Sequence, residues 1–444
     1  MTSPALPVSI LRRYDMHMTW LQRYKLHNFL KSSLWLVPML SGIFAVICHR
    51  LVWRFDLWTQ WHLLGYSPAS AGAIVGAIST AMLTFIVFLM SMIFVALQIA
   101  VGQLTPRIIA FAFRNRLIKV SLGIFTFTYM FSISALGRLE NPVPELVVLL
   151  TIIFSAISIV VFLYFVDTMG KLLRPISICE GLAEEGTKVI EAIYPVLLSK
   201  GEHAEPKSLV SKWGTAACTI NHESGSGIIM AFDADGLAEI AAGKDLMIKM
   251  IPQVGDFVSN GDPLFNIYGG CLKHDDLRLR VVFGVERTVE QDPSFVFRII
   301  VDIAIKALSP AINDPTTAVA CIDQLHRLLR RIGQRDLGDG KLRDLNGTVR
   351  VIFPTPDWED YVRLAVSEIL HYGADSIQIT RRLRAMLEDL LEHLPKQRSP
   401  EIMAHLEMLD RSVARTFVDS FEKELAMCGD YKGLGGQGRR LDVL

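Results

Sequence analysis

Two groups of side chains in this sequence have the types and spacing to do chemistry. The first is Gly72, Gly76, Thr80, Thr84, Ser91 and Gln98. Steps of four and then seven residues set them along one stripe of a helix. Glycines four apart let helices in a bilayer approach closely, and hydroxyls tie such helices together, within a chain or between chains. The same stripe could wall a water-filled path for ions, because hydroxyl and carboxamide groups can line a pore without fixed charge. Packing is the weightier reading. A path needs an oligomer, since one chain supplies too few helices to enclose it.

The second group is Asp302, Lys306, Ser309, Asn313, Asp314, Thr316 and Thr317. Asp292-Pro293 and Asp314-Pro315 each read as an N-cap followed by a first-turn proline, so two helices meet at a tight apex. Exposed N–H groups and threonine hydroxyls at such an apex could hold a phosphate. Asp314 already fills that position and would repel an anion, so a rigid capped turn is the favoured reading. Glu286, Arg287, Asp292, Asp323 and His326 add charge nearby. Two carboxylates and a histidine could bind a metal, but no paired-ligand spacing supports one, and a buried salt-bridge network is expected. Arg381, Arg382 and Arg384 read as a solvated basic face. No nucleophile elbow, phosphate loop, dinucleotide fingerprint or metal motif occurs, so no catalytic residue, metal or cofactor is expected and the chain is not read as an enzyme.

The elements that carry these residues fall into two kinds. Four apolar runs, near 34–52, 67–107, 117–136 and 146–166, are each long enough to span a bilayer. The second opens at Ser67-Pro68 and carries no charge through Val101. It reads as the core of the membrane bundle. Further hydroxyl faces lie on the third run (Ser121, Thr128, Ser132) and the fourth (Thr151, Ser155, Ser158). His49, Arg50 and Asp167 fall at span ends, which disfavours a proton relay. Basic residues cluster before the first run and between the second and third, placing both termini in the cytoplasm. The first apolar run starts only at Leu34 and lacks a cleavage site, so it reads as a retained helix. Trp20, Tyr24 and Leu30 among basic residues suit a short interfacial helix.

After residue 170 the composition turns polar. A linker helix is expected over 171–212, a β-rich module over 213–285, a helical domain over 286–430 and a flexible tail over 431–444. Gly255-Asp-Phe-Val-Ser-Asn-Gly-Asp-Pro-Leu264 resembles the closing turn of biotinyl- and lipoyl-type barrel-sandwich domains. Lys249 lies inside a strand rather than in an exposed hairpin, so no biotin or lipoate attachment is expected. The fold class is therefore a four-helix membrane domain with a cytoplasmic α+β domain, containing a barrel-sandwich-like module and a helical C-terminal part.

Lys and Arg number 45, as do Asp and Glu. Zero net charge and the absence of a basic aromatic stripe argue against a nucleic-acid partner. The six cysteines show no CxxC, so neither a zinc site nor a disulfide framework is indicated.

Gln103-Leu-Thr-Pro-Arg107, Glu286–Asp292 and Ala307–Ala318 resemble the hallmark blocks of a bacterial family of membrane proteins, domain of unknown function 2254. The resemblance runs from about Lys25 to Leu391. It implies a polytopic inner-membrane protein with a cytoplasmic domain, and brings no activity or site residue. The leading expectation is a homo-oligomeric ion channel or transport-type protein with a regulatory cytoplasmic domain. The alternative is a membrane-anchored sensor or adaptor.

Overall fold

The computed structural model describes residues 19–59, 65–103, 107, 116–139, 143–172, 174–198, 213–223 and 225–435. Most of the connection between the second and third apolar helices, the loop over 199–212 and the tail after 435 lie outside these residues. The chain forms two compact units. One runs from Leu26 to Ser177, and the other joins the segment up to Lys25 with everything from Ile178 onward.

A first helix, α1 (Trp20–Ser32), crosses that division. The first unit then holds α2 (Leu36–Thr59), α3 (Pro68–Gln103), α4 (Arg116–Leu136) and α5 (Glu145–Leu172). All four are long and apolar enough to cross a membrane. The centre of this bundle is α4, not α3 as the sequence suggests. Half of the α4 span is buried, against 22% or less for the others, and it touches α2, α3 and α5. The reason is steric. Gly123 of α4 has no side chain where α2 crosses, and a Cβ there would meet Ser41 Oγ at 3.0 Å and Val37 Cγ1 at 3.1 Å. Thr128 and Ser158 join α4 to α5 through a buried hydroxyl pair 3.0 Å apart.

Charged groups close the ends of this bundle. Lys119, buried on α4, donates to the Leu30 and Lys31 carbonyls at the end of α1. The buried Asp56 carboxylate accepts from Leu146 N, and Glu145 accepts from Gly65 N. These bonds satisfy helix-end groups that a hydrocarbon environment would leave unpaired. Because α2 runs to Thr59, His49 sits within the helix rather than at its end. It is buried, with its ring edge-on to Phe131.

The second unit begins with α6 (Pro175–Ile193). This stretch is core rather than linker: Cys179, Leu182, Ala183 and Ile190 are buried. A Cβ at Gly186 would strike Val296 at 2.8 Å. Strands β1 (Cys218–Asn221), β2 (Gly227–Phe232), β3 (Met247–Met250), β4 (Phe257–Val258), β5 (Pro263–Tyr268) and β6 (Val281–Gly284) follow, with short helices α7 (Ala234–Gly243) and α8 (His274–Arg278) among them. Helices α9 (Pro293–Ala307) and α10 (Pro315–Gly333) come next, then strands β7 (Lys341–Arg343) and β8 (Val349–Ile352). The chain ends in α11 (Trp358–Gly373), α12 (Ile377–His393), α13 (Ser399–Thr416) and α14 (Ser420–Ala426).

One sheet has the order β1-β5-β3-β8-β7 and the other β4-β2-β6. Ile229, Val258 and Val281 of the smaller sheet share one apolar core with Ile248, Phe265 and Val351 of the larger. The β module therefore does not close at residue 285. It recruits β8, which pairs in parallel with β3 (Ile248 opposite Val351), and such pairing requires a long crossover. In the barrel-like decamer, Gly255 and Gly261 take left-handed φ of 94° and 91°, as the two turns demand. Lys249 lies mid-ladder opposite Asn266.

Two expectations for the C-terminal part fail. Arg381, Arg382 and Arg384 are buried, not solvated. Their helix α12 packs against α10, α11, α13 and α14, leaving no free face for them. Arg381 donates to the carbonyls of Cys428 and Gly435, and Arg382 to those of Asp430 and Tyr431. Residues 431–435 are consequently bound in place rather than the start of a flexible tail. The Asp430 carboxylate gathers the N–H groups of Lys432, Gly433 and Gly435.

Candidate functional site

The α3 stripe stays together, and it faces away from its own bundle. Ala71, Val75, Ser79, Met82, Leu89 and Ile93 form the buried side of α3. Thr80, Thr84, Ser91 and Gln98 are exposed on the opposite side, with Gly72 and Gly76 at its margin. A Cβ at Gly76 would meet nothing within 4 Å, and one at Gly72 only Leu139 at 3.9 Å. Packing between helices of the same chain is thus not what the stripe does.

The hydroxyls on this face are satisfied locally. Thr80 donates to Gly76 O at 3.0 Å, Thr84 to Thr80 O at 2.9 Å and Ser91 to Val87 O at 2.9 Å. Such back-bonding makes a hydroxyl tolerable on an apolar helix surface while leaving its oxygen able to accept. A carboxamide has no equivalent device, so Gln98 is the member of the stripe that most needs water or a partner.

The apex of the second unit is also built as spaced, but its polar atoms turn inward. The Asp314 carboxylate accepts from Thr317 N at 3.1 Å and from Thr317 Oγ1 at 2.5 Å. Asp314 N donates to Ala307 O, and Ser309 Oγ to Lys306 O. Asn313 takes the left-handed φ of 47° that reverses the chain. Thr317 is buried, Thr316 is exposed and Lys306 is half-buried. An anion approaching this N-terminus would meet the Asp314 carboxylate. The turn sets the angle between α9 and α10, which is a structural task.

The charged cluster expected around this apex divides into separate pairs. Asp302 accepts from Arg298, which also pairs with Glu368 of α11. Asp323 pairs with Arg382 of α12. His326 Nε2 lies 2.8 Å from Asp389, which also takes Arg330 at 3.1 Å. Burial holds His326 below its ordinary pKa against the pull of Asp389, so at neutral pH it is an uncharged donor to an Asp389–Arg330 pair. Among the described residues, no group of three metal-ligating side chains comes together.

Sequence reasoning treated Asp292 as a cap and as one of several charged residues near the apex. It caps α9 through Phe295 N at 3.2 Å, and it is also 6% exposed. Burial pushes its carboxyl up to about 6, against the pull of Arg287 and the Phe295 N–H. Gly255 lies over it: a Cβ there would come within 2.8 Å of the carboxylate and 3.5 Å of the Arg287 guanidinium. The barrel-like turn and the Glu286–Asp292 block therefore meet at one point. Behind them Tyr194 OH lies 3.3 Å from both Thr355 Oγ1 and Tyr361 OH. Burial raises both tyrosines above their ordinary pKa. Nothing local in the sequence marks this cluster, because its members come from four separate segments.

A bundle of four apolar helices, in one chain with a unit of helices and sheets, defines a polytopic membrane protein. The chain belongs to the predicted membrane protein family DUF2254, whose model matches residues 31–389. It is similar to uncharacterized proteins of Mycobacterium bovis and Mycobacterium tuberculosis, each 24% identical over 432 residues, covering 91% of this chain and 81% of theirs. No solved structure matches it.

Proposed function

We propose that this protein is a homo-oligomeric, transport-type protein of the bacterial inner membrane, in which copies associate along the exposed face of α3. Water and ions pass beside Thr80, Thr84, Ser91 and Gln98 in this reading. Both termini are cytoplasmic, and the second unit regulates the membrane part, its barrel-sandwich-like module serving as scaffold. The observation that carries the reading is the outward direction of the stripe. The back-bonded hydroxyls are tolerable against lipid tails but the Gln98 carboxamide is not, and the row as a whole is well suited to a protein or water neighbour. Flux assays on the full chain in liposomes test it. Gln98→Leu and Ser91→Leu are expected to lower ion flux at least tenfold while the protein still inserts and melts normally. Absence of flux in the native protein, or flux unchanged in both variants, overturns it.

One observation favours a membrane-anchored sensor instead. A cavity of about 710 Å3 in the second unit is lined by Trp20, Glu239, Lys244, Asp275, Leu279 and Arg280, among others. Lys244 is paired with Asp276 there. A sensor would lack flux and would show a thermal shift with a small polar ligand that Trp20→Ala removes.

A further inference from the structure

The six cysteines are all free thiols, yet four of them sit in two adjacent pairs in the second unit. Cys179 on α6 and Cys321 on α10 place their sulfurs 3.3 Å apart with neither residue exposed. Cys218 and Cys271 are the accessible pair. Cys218 opens β1, the edge strand of the five-stranded sheet, opposite Ile267 of β5. Beyond β5 the chain turns back at Gly269, whose φ of 87° and missing side chain let it pass Trp213. A Cβ there would meet the indole at 2.9 Å. The turn returns Cys271 to the residue beside Cys218, with its thiol 3.8 Å from the Ala217 carbonyl. The Cys218 side chain is near enough to raise the pKa of the Cys271 thiol. Cys271 is exposed and Cys218 half-buried.

We infer that Cys218 and Cys271 form an oxidisable dithiol that closes to a disulfide when a hydroperoxide is present, tying the edge strand to the 269–272 turn. The Cys218 neighbour raises the pKa of Cys271, but Cys271 is the more exposed thiol, and its ionised fraction attacks one peroxide oxygen. The O–O bond breaks, an S–O bond forms, and water leaves when the peroxide is hydrogen peroxide. Cys218 then attacks the Cys271 sulfur. The S–S bond forms as the S–O bond breaks, and hydroxide departs with the Cys218 proton as a second water. Together the sulfurs give up two electrons and the peroxide oxygens gain two. Thiol–disulfide exchange with a small disulfide such as oxidised glutathione reaches the same product. Cys179 and Cys321 are closer to bonding distance but closed to the oxidant, and reactivity follows access. They remain reduced.

The test uses the full chain in detergent, treated with excess hydrogen peroxide, quenched and digested without reductant. Mass spectrometry should show a peptide linking Cys218 to Cys271 and lighter by two hydrogens, restored to two thiols by dithiothreitol. Cys179 and Cys321 should stay alkylatable after denaturation. In Cys218→Ser the link should be lost and Cys271 should become trappable as sulfenic acid by dimedone. Oxidation of native Cys271 without linkage, preferential linkage of Cys179 to Cys321, or no oxidation of Cys271 would each overturn the inference.

Discussion

Asp292 shows how one buried carboxyl sets a pH dependence. Its folded-state pKa, about 6, lies above that of an exposed aspartate. The protonated form is therefore the one the fold favours. Its stabilising contribution is full below about pH 4 and is lost as the pH rises through 6. Asp292→Asn keeps an oxygen for Phe295 N and cannot ionise. Relative to the native chain, the variant should gain up to about 3 kcal/mol between pH 4 and pH 8, the equivalent of a shift of about two pKa units. Thermal unfolding of the full chain in detergent across that range checks this. A gap that does not change with pH would mean that the carboxyl is solvated.

Helix ends were the most legible elements. Ser67-Pro68, Asp292-Pro293 and Asp314-Pro315 all begin helices as their chemistry implies, because capping depends on residues within one turn of each other. The partner of each helix face was not legible. The GxxxG of α3 has the spacing of a close crossing, yet the tight one lies between α2 and α4 at Gly123. This yields a paired expectation. Gly123→Val should overpack the crossing and cost about 1–3 kcal/mol, visible as a lower melting temperature in detergent. Gly76→Val faces open space and should leave the melting temperature of the monomer unchanged. Equal effects of the two would contradict the assignment of α4 as the central helix.

For the whole molecule, orientation is the open physical quantity, and the positive-residue count makes a definite statement about it. Cys271 and Cys428 are exposed on the second unit. With that unit cytoplasmic, a membrane-impermeant maleimide should label both cysteines in inverted inner-membrane vesicles and neither in intact spheroplasts. Labelling in spheroplasts would reverse the topology. The match to the mycobacterial relatives covers 91% of the chain, so the membrane helices and the second unit are shared with them as one chain.

What the sequence by itself determined is what local physics controls. Apolar length marked the four membrane helices, cap-and-proline pairs marked helix starts, and glycines marked the turns at Gly255 and Gly261. What only the tertiary structure decided is everything that depends on neighbours distant in the chain. It buried Arg381 and Arg382 against residues 428–435 and Arg384 against Asp410 and Met427, and joined β8 to β3. It brought Gly255 onto Asp292, and it turned the stripe of α3 outward. Periodicity specifies that a helix has faces, but which face is covered depends on the shape of the surface that meets it. For α4 that surface is fitted by a missing Cβ at Gly123, and for α3 it covers the side of Val75, Met82 and Leu89 and leaves the stripe exposed.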